Sequence, residues 1–301
     1  MDEFEAIHVK PIHLRFGAEI AGVDLASPSK AQVMEIQKAW AAHSVLLFRD
    51  QSLGPGDLVQ FSKHFGRLDP PPVNEDGKTF VKDFPDIYVV SNVLGDDGKP
   101  IGSLGAGEAT WHTDMSYLKE PPDASMLYSI EIPSQGGDTW FCSMEGALQD
   151  MPEALLRQVR QLHIKHDGTY NSGGYLRQGL KESNDPVHSV GTPHPVVCAH
   201  PVTGRPYLYL GRRRNAYVLG QPLQDSEALL DALWTYPVKQ HNVYCHQWRL
   251  GDLVLWDNRT TMHRRDSFDA CARRIMHRTQ IMGSHQPRAF YLEEALALGS
   301  G

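Results

Sequence analysis

Three residues of this chain have the types and placement to hold a divalent metal. His112 and Asp114 lie two positions apart in "TWHTDMSY", residues 110–117, among strand-favouring residues. Side chains at i and i+2 of a strand leave on the same face, so an imidazole nitrogen and a carboxylate oxygen converge there. This mixed pair suits a metal of intermediate softness. A third ligand is offered by His263, in "LVLWDNRTTMHRRDSF", just after an apolar strand. Two histidines and one carboxylate on one face leave other metal positions open, the arrangement used by non-haem Fe(II) oxygenases. The same three residues also suit zinc, which keeps a zinc-dependent hydrolase open as an alternative.

Downstream, "ARRIMHRTQIMG" (residues 272–283) reads as a strand with Arg274, Met276 and Arg278 on one face. Arg273, Ile275, His277 and Thr279 share the other. Arginine presents a rigid fork matched to carboxylates, and an inward pair is costly unless it binds anions. The alternative is a strand whose arginines face solvent.

The elements that position these residues are mostly strands. "SPSKAQVMEIQKAWAAH" reads as a helix capped by Ser27 or Ser29, with Val33, Ile36 and Trp40 in rhythm, followed by a buried strand from Ser44 to Phe48. Leu58, Phe61 and Phe65 give a second helix one apolar face, with Gly66 as its stop. Strands are expected at "DIYVVSNVL", at Trp111 to Tyr117, and at "ASMLYSIEIP" and "DTWFCSM", the last two joined by "SQGG" as a hairpin. Residues 145–160 read as a helix; then come a strand at "RPYLYLG", a helix from about Asp225 to Tyr236, and strands at "DLVLWDN" and "RRIMHRTQIMG". Two stretches rich in Pro, Gly and polar residues, about 69–109 and 165–205, read as lid-like insertions. The expected fold is mainly β with flanking helices, a sandwich or jelly roll, with residues 1–301 as a single domain.

Composition narrows the partners. With 36 acidic against 29 basic side chains and no basic run interleaved with aromatics, nucleic acid is not expected. No stretch reaches the apolar length of a membrane span, and the first ten residues carry no leader pattern, so a cytoplasmic address is expected. Cys142, Cys198, Cys245 and Cys271 lack close pairs and are expected to be reduced and structural. Arg212, Arg213 and Arg214 form a second basic cluster, expected to be a solvated loop or an oligomer contact.

Together, the HxD pair, "GGDT", "WDNRTTMH" and "RRIMHR" resemble the Fe(II)- and 2-oxoglutarate-dependent oxygenases typified by taurine dioxygenase and dichlorophenoxyacetate dioxygenase. The likeness runs from "GAEIAGVDL" to about Gly283. It implies a double-stranded β-helix, with Fe(II) on His112, Asp114 and His263. It implies that 2-oxoglutarate is hydrogen-bonded by Thr139 and paired with Arg274, and that Arg278, near the iron, helps hold the cosubstrate or an anionic substrate. Fe(II), 2-oxoglutarate and O2 would then hydroxylate a small organic acid, of the aryloxyalkanoate, sulfonate, sulfate ester or acylated amino acid type, releasing succinate and CO2. Taurine-specific members carry His and Tyr after "FG" and Asn shortly before the first ligand. Pro71, Asn74 and Glu108 stand at the matching places here, pointing away from taurine. Glu108, Asn74, Tyr117 and Arg278 are the candidate substrate residues, and a homo-oligomer is expected. A non-catalytic jelly-roll binding protein is the second alternative; it has no need of Thr139 or an inward Arg274.

Overall fold

The computed structural model describes residues 4–71 and 79–290. With strands numbered along the chain, an eight-stranded sheet has the order β1 (His8–Pro11), β2 (Ala18–Ala21), β3 (Val45–Phe48), β15 (Leu253–Asp257), β7 (Ala124–Glu131), β17 (Ile275–Ile281), β4 (Tyr88–Ser91) and β5 (Ser103–Leu104). A four-stranded sheet runs β14 (Val243–His246), β8 (Thr139–Ser143), β16 (Thr261–Arg265) and β6 (Ala109–His112). Two three-stranded sheets flank them, β10 (Gly191–Pro195), β9 (His163–Asp167), β13 (Tyr217–Val218), and β12 (Pro206–Leu208), β11 (Val197–Ala199), β18 (Arg288–Ala289). The helices are α1 (Lys30–His43), α2 (Pro55–Lys63), α3 (Met144–Gln149), α4 (Glu153–Val159) and α5 (Leu223–Trp234). None of these helices is long and apolar enough to cross a membrane.

Period-two alternation sorts the strands into layers. Val45 and Leu47 of β3 and Val254 and Trp256 of β15 pack with Leu127, Met276 and Phe141, so the eight- and four-stranded sheets share one apolar layer. The intervening Leu46, Phe48, Leu253 and Leu255 pack on the other face with Ile36 and Ala39 of α1 and Leu58 and Phe61 of α2. Both faces of β3 and β15 are covered, which is why these strands read as unbroken apolar runs. On the smaller sheet Phe141 and His263 face each other across β8 and β16, while Cys142 and Met262 turn to a second core beneath α3, α4 and α5.

Of the two serines expected to cap α1, Ser29 does so, through a capping box with Gln32. Four expectations need correction. "ASMLYSIEIP" and "DTWFCSM" are no hairpin: β7 pairs with β15 and β17, and β8 with β14 and β16. The "SQGG" segment is instead a corner between sheets, with Gly136 and Gly137 at φ 76° and 72°. A side chain on Gly136 would put Cβ 2.8 Å from the Ser267 carbonyl oxygen. The strand expected through Tyr117 stops at His112. The helix expected over 145–160 is two helices, broken where Pro152 removes an amide donor and starts α4. Within 165–205, β10 and β11 and the end of β9 are paired strands, and residues 168–190 form the irregular part.

Candidate active site

His112 is the last residue of β6, and its Cα pairs with that of His263 in β16. Directly paired residues share a face, and the two rings lie with centroids 4.2 Å apart. The Thr113 amide then donates to the Gly211 carbonyl, and the chain turns through Met115 at φ 45°. Asp114 therefore reaches the rings from a turn and not from a strand face. Its Oδ1 lies 3.6 Å from His112 Nε2 and 3.9 Å from His263 Nε2. One donor atom from each residue falls within 4.8 Å of the others, the single such cluster among the described residues.

Neighbours orient all three. His112 Nδ1 bonds the Thr110 carbonyl at 2.7 Å, which leaves Nε2 with its lone pair toward the cluster. His263 is flanked by Trp256 and Phe141. Asp114 Oδ2 accepts from the Ser125 hydroxyl at 2.8 Å, Ser125 accepts from Asn258 Nδ2, and Asn258 Oδ1 accepts from Trp256 Nε1. That chain pins one carboxylate oxygen and turns the other to the imidazoles. Burial lowers the pKa of His112 and, with His112 beside it, brings His263 down to about 3, so both rings are neutral. Burial alone would raise Asp114, but Arg278 and the two imidazoles hold it well below the usual carboxylate range. Two neutral imidazoles and an ionised carboxylate fit a non-haem iron.

Beside the cluster a chamber of about 60 Å³ is lined by His263, Thr139, Arg274, Leu127 and Trp256, among others. Thr139 opens β8, and its Oγ1 accepts from Trp248 Nε1 at 3.0 Å, which leaves the hydroxyl hydrogen to be donated. Arg274 is 1% exposed, yet its Nε and Nη2 find no partner. Burial, and then repulsion from Arg265, push it down to about 9. A buried cation with orphaned donors has the charge and geometry to receive a carboxylate. Gly137 passes so close that an added Cβ would lie 3.3 Å from Arg274 Nε.

On the other side a cleft of about 1250 Å³ opens over His112 and Asp114. Arg278 borders both cavities and donates to Asp114 Oδ1 at 3.4 Å. Tyr117 lines the cleft, with the Arg177 guanidinium 4.4 Å from its ring centroid. Glu108 lines neither cavity: it is exposed and lies 3.7 Å from Arg264. Asn74 lies outside the described residues. The basic cluster divides, against the expectation of a solvated loop: Arg213 pairs with Glu227 and Asp231 and Arg214 covers the Tyr170 ring, but Arg212 is 6% exposed and lines the cleft. Its signal lay in an apolar strand, "YLYL", running through one glycine into the first arginine.

Residues 8–280 match the model of the taurine catabolism dioxygenase TauD, TfdA family. The (S)-phenoxypropionate/alpha-ketoglutarate-dioxygenase of Sphingobium herbicidovorans is 29% identical, over 92% of this chain and 96% of its own. The alkylsulfatase of Acinetobacter baylyi is 32% identical, over 86% and 80%. Among solved structures, a taurine dioxygenase from Burkholderia xenovorans superposes with a TM-score of 0.76 at 30% identity, covering 93% of this chain and 90% of that one. The chain belongs to the taurine catabolism dioxygenase TauD, TfdA family, and is a 2-oxoglutarate-dependent non-haem iron dioxygenase.

Proposed function

We propose that His112, Asp114 and His263 hold Fe(II), that Thr139 and Arg274 bind the two ends of 2-oxoglutarate in the side chamber, and that a small organic acid enters by the wide cleft. The observation that carries this reading is Arg274, a fully buried guanidinium with two unpartnered N–H groups, opening on a chamber it shares with Thr139 and His263. Neither a zinc hydrolase nor a metal-binding barrel has a use for that cation. We read the eight- and four-stranded sheets as a double-stranded β-helix, or jelly roll, and residues 168–190 as a lid.

Bound together, iron, 2-oxoglutarate and O2 supply an oxidative decarboxylation to succinate and CO2 and the transfer of one oxygen atom to a substrate C–H bond. The chain's contribution is placement and exclusion of water. Thr139 donates its hydroxyl to a cosubstrate carboxylate, and Arg274 holds the far carboxylate in a two-point fork. Arg278 keeps Asp114 ionised and adds positive charge where cosubstrate and substrate meet. Trp256 and Leu127 wall the chamber and fix how deep the cosubstrate sits, with Phe141 packed against Trp256 and His263. The substrate class rests on the relatives, named a phenoxypropionate dioxygenase and an alkylsulfatase, and on Arg177, Arg212 and Arg278 in the lining of the cleft.

Anaerobic Fe(II) and 2-oxoglutarate should together give a weak visible charge-transfer band that His112→Ala abolishes. Succinate release over a panel of aryloxyalkanoates, sulfate esters and sulfonates then ranks the substrates. Absence of the band, with iron affinity unaltered in His112→Ala, refutes the assignment.

A further inference from the structure

Arg212 is a buried cation that the reading above does not use. Gly211, at φ 66°, turns the chain out of the strand region, and Arg212 then bridges to His112. Its Nη1 donates to the Tyr170 carbonyl, and among the described residues no carboxylate forms an ion pair with it. The two carboxylates in its field are engaged elsewhere. Asp167 accepts from the Thr169 amide and hydroxyl, and Asp114 belongs to the metal cluster.

A second cation stands beside it. Arg177 comes from the irregular 168–190 segment, lies over the Tyr117 ring at 4.4 Å, and has a buried Nε without a partner. After burial, the charge of Arg177 is the largest influence bringing Arg212 down to about 10. Both guanidinium groups line the wide cleft near Asp114. Two like charges at one wall, one of them buried, repel until an anion sits between them. The other arginines nearby sit differently: Arg213 pairs with Glu227 and Asp231, Arg274 lies in the cosubstrate chamber, and Arg278 reaches Asp114 and borders that chamber, with its Nε unpartnered.

We propose that Arg212 and Arg177 form the subsite for the substrate's own oxyanion head, and that this anion ties the 168–190 segment to the strand carrying His112. The inference rests on the dioxygenase reading and deepens it. The charged head sits on the Arg212 side, so the carbon chain extends from there across Asp114 and His112. Neutral and cationic molecules of the same shape are rejected because they leave two guanidinium groups unpaired. The cosubstrate keeps a separate arginine, so substrate and cosubstrate anions do not compete.

The test uses the full chain with Fe(II) and 2-oxoglutarate under anaerobic conditions, titrated calorimetrically with hexyl sulfate, hexanoate, 1-hexanol and hexylammonium. The two anions should bind at least tenfold tighter than 1-hexanol. Arg177→Gln and Arg212→Gln should each weaken the anions about 10- to 100-fold while leaving the affinity for 1-hexanol unchanged. Arg177→Lys should recover part of the loss, and Arg213→Gln should change nothing. Hexyl sulfate should also slow amide exchange over residues 171–178 in the wild type and not in Arg177→Gln. Equal anion affinity in wild type and both Gln variants, or no preference for anions over 1-hexanol, overturns the proposal. The titration is read whether or not the charge-transfer band forms. Loss of the band alone counts against the dioxygenase reading, and loss of anion preference alone counts against this subsite.

Discussion

Replacing Arg274 by Met tests the cosubstrate chamber with two effects of opposite sign. The native guanidinium is 1% exposed, with Nε and Nη2 unpaired, so the protein alone carries the cost of an uncompensated buried charge. Methionine fills similar space without that charge. The cosubstrate-free variant should therefore be as stable as the wild type, or about 1 kcal/mol more stable. The bound state tells the other half. A two-point guanidinium–carboxylate fork comprises two charge-assisted hydrogen bonds of about 1.5–3 kcal/mol each, so roughly 3–6 kcal/mol is lost. At about 1.4 kcal/mol per decade, the Kd for 2-oxoglutarate should rise about 10²- to 10⁴-fold.

Thermal unfolding reads both effects together. At 2-oxoglutarate 100 times its wild-type Kd, the wild type gains about 2.7 kcal/mol, and the variant at the same concentration about 0.4 kcal/mol or less. Iron affinity should not change, because the cluster is built from His112, Asp114 and His263 without Arg274. An anaerobic titration of the charge-transfer band gives the Kd directly. If Arg274→Met binds 2-oxoglutarate within fivefold of the wild type, the clamp lies elsewhere. If the cosubstrate-free variant loses more than about 2 kcal/mol, the orphaned N–H groups are structural and the reasoning from burial is wrong.

Three further outcomes follow from single contacts. Ser125→Ala removes the donor to Asp114 Oδ2 and should weaken Fe(II) binding about tenfold in chelator competition; unchanged affinity would leave Ser125 a packing residue only. Gly137→Ala sets a side chain at φ 72° and 3.3 Å from Arg274 Nε, and should cost about 1–2 kcal/mol in denaturant unfolding as well as weaken 2-oxoglutarate. A variant as stable as the wild type would mean that the corner relaxes freely. Burial brings His277 down to about 4 from 6.5. Above pH 6.5 it is neutral folded and unfolded, but between pH 6.5 and 4 only the unfolded chain takes up the proton, draining stability by about 2–3 kcal/mol. His277→Gln should flatten the acid side of the stability profile by that amount, and an unchanged slope would show that His277 charges within the fold.

How much of this site was legible in the sequence depends on how costly each residue is to bury. Arg274 and Arg278 stood out because period-two alternation set them on one face with Met276, and a cation aimed inward beside an apolar neighbour needs an anion. Met276 and Arg274 are indeed buried on that face. Alternation identifies faces but not partners, so β7 and β8 looked like a hairpin while each belongs to a different sheet. Pairing of that kind is non-local, and the two glycines of "SQGG" serve a corner as readily as a turn. The HxD pair was found for a reason the structure replaces: i and i+2 meet here because Thr113 bonds Gly211 and Met115 takes a positive φ, neither of which strand periodicity contains. Arg212 carried the same signal as Arg274, a cation continuing an apolar strand, but Arg213 and Arg214 beside it gave the cluster the look of a solvated surface. Successive side chains in extended backbone point to opposite sides, so three adjacent arginines cannot all share one environment. Only Arg212 follows the strand into the cleft; Arg213 turns to Glu227 and Asp231 on α5. A charge run at the end of an apolar strand is therefore better read residue by residue, because its average polarity conceals the one member that is buried.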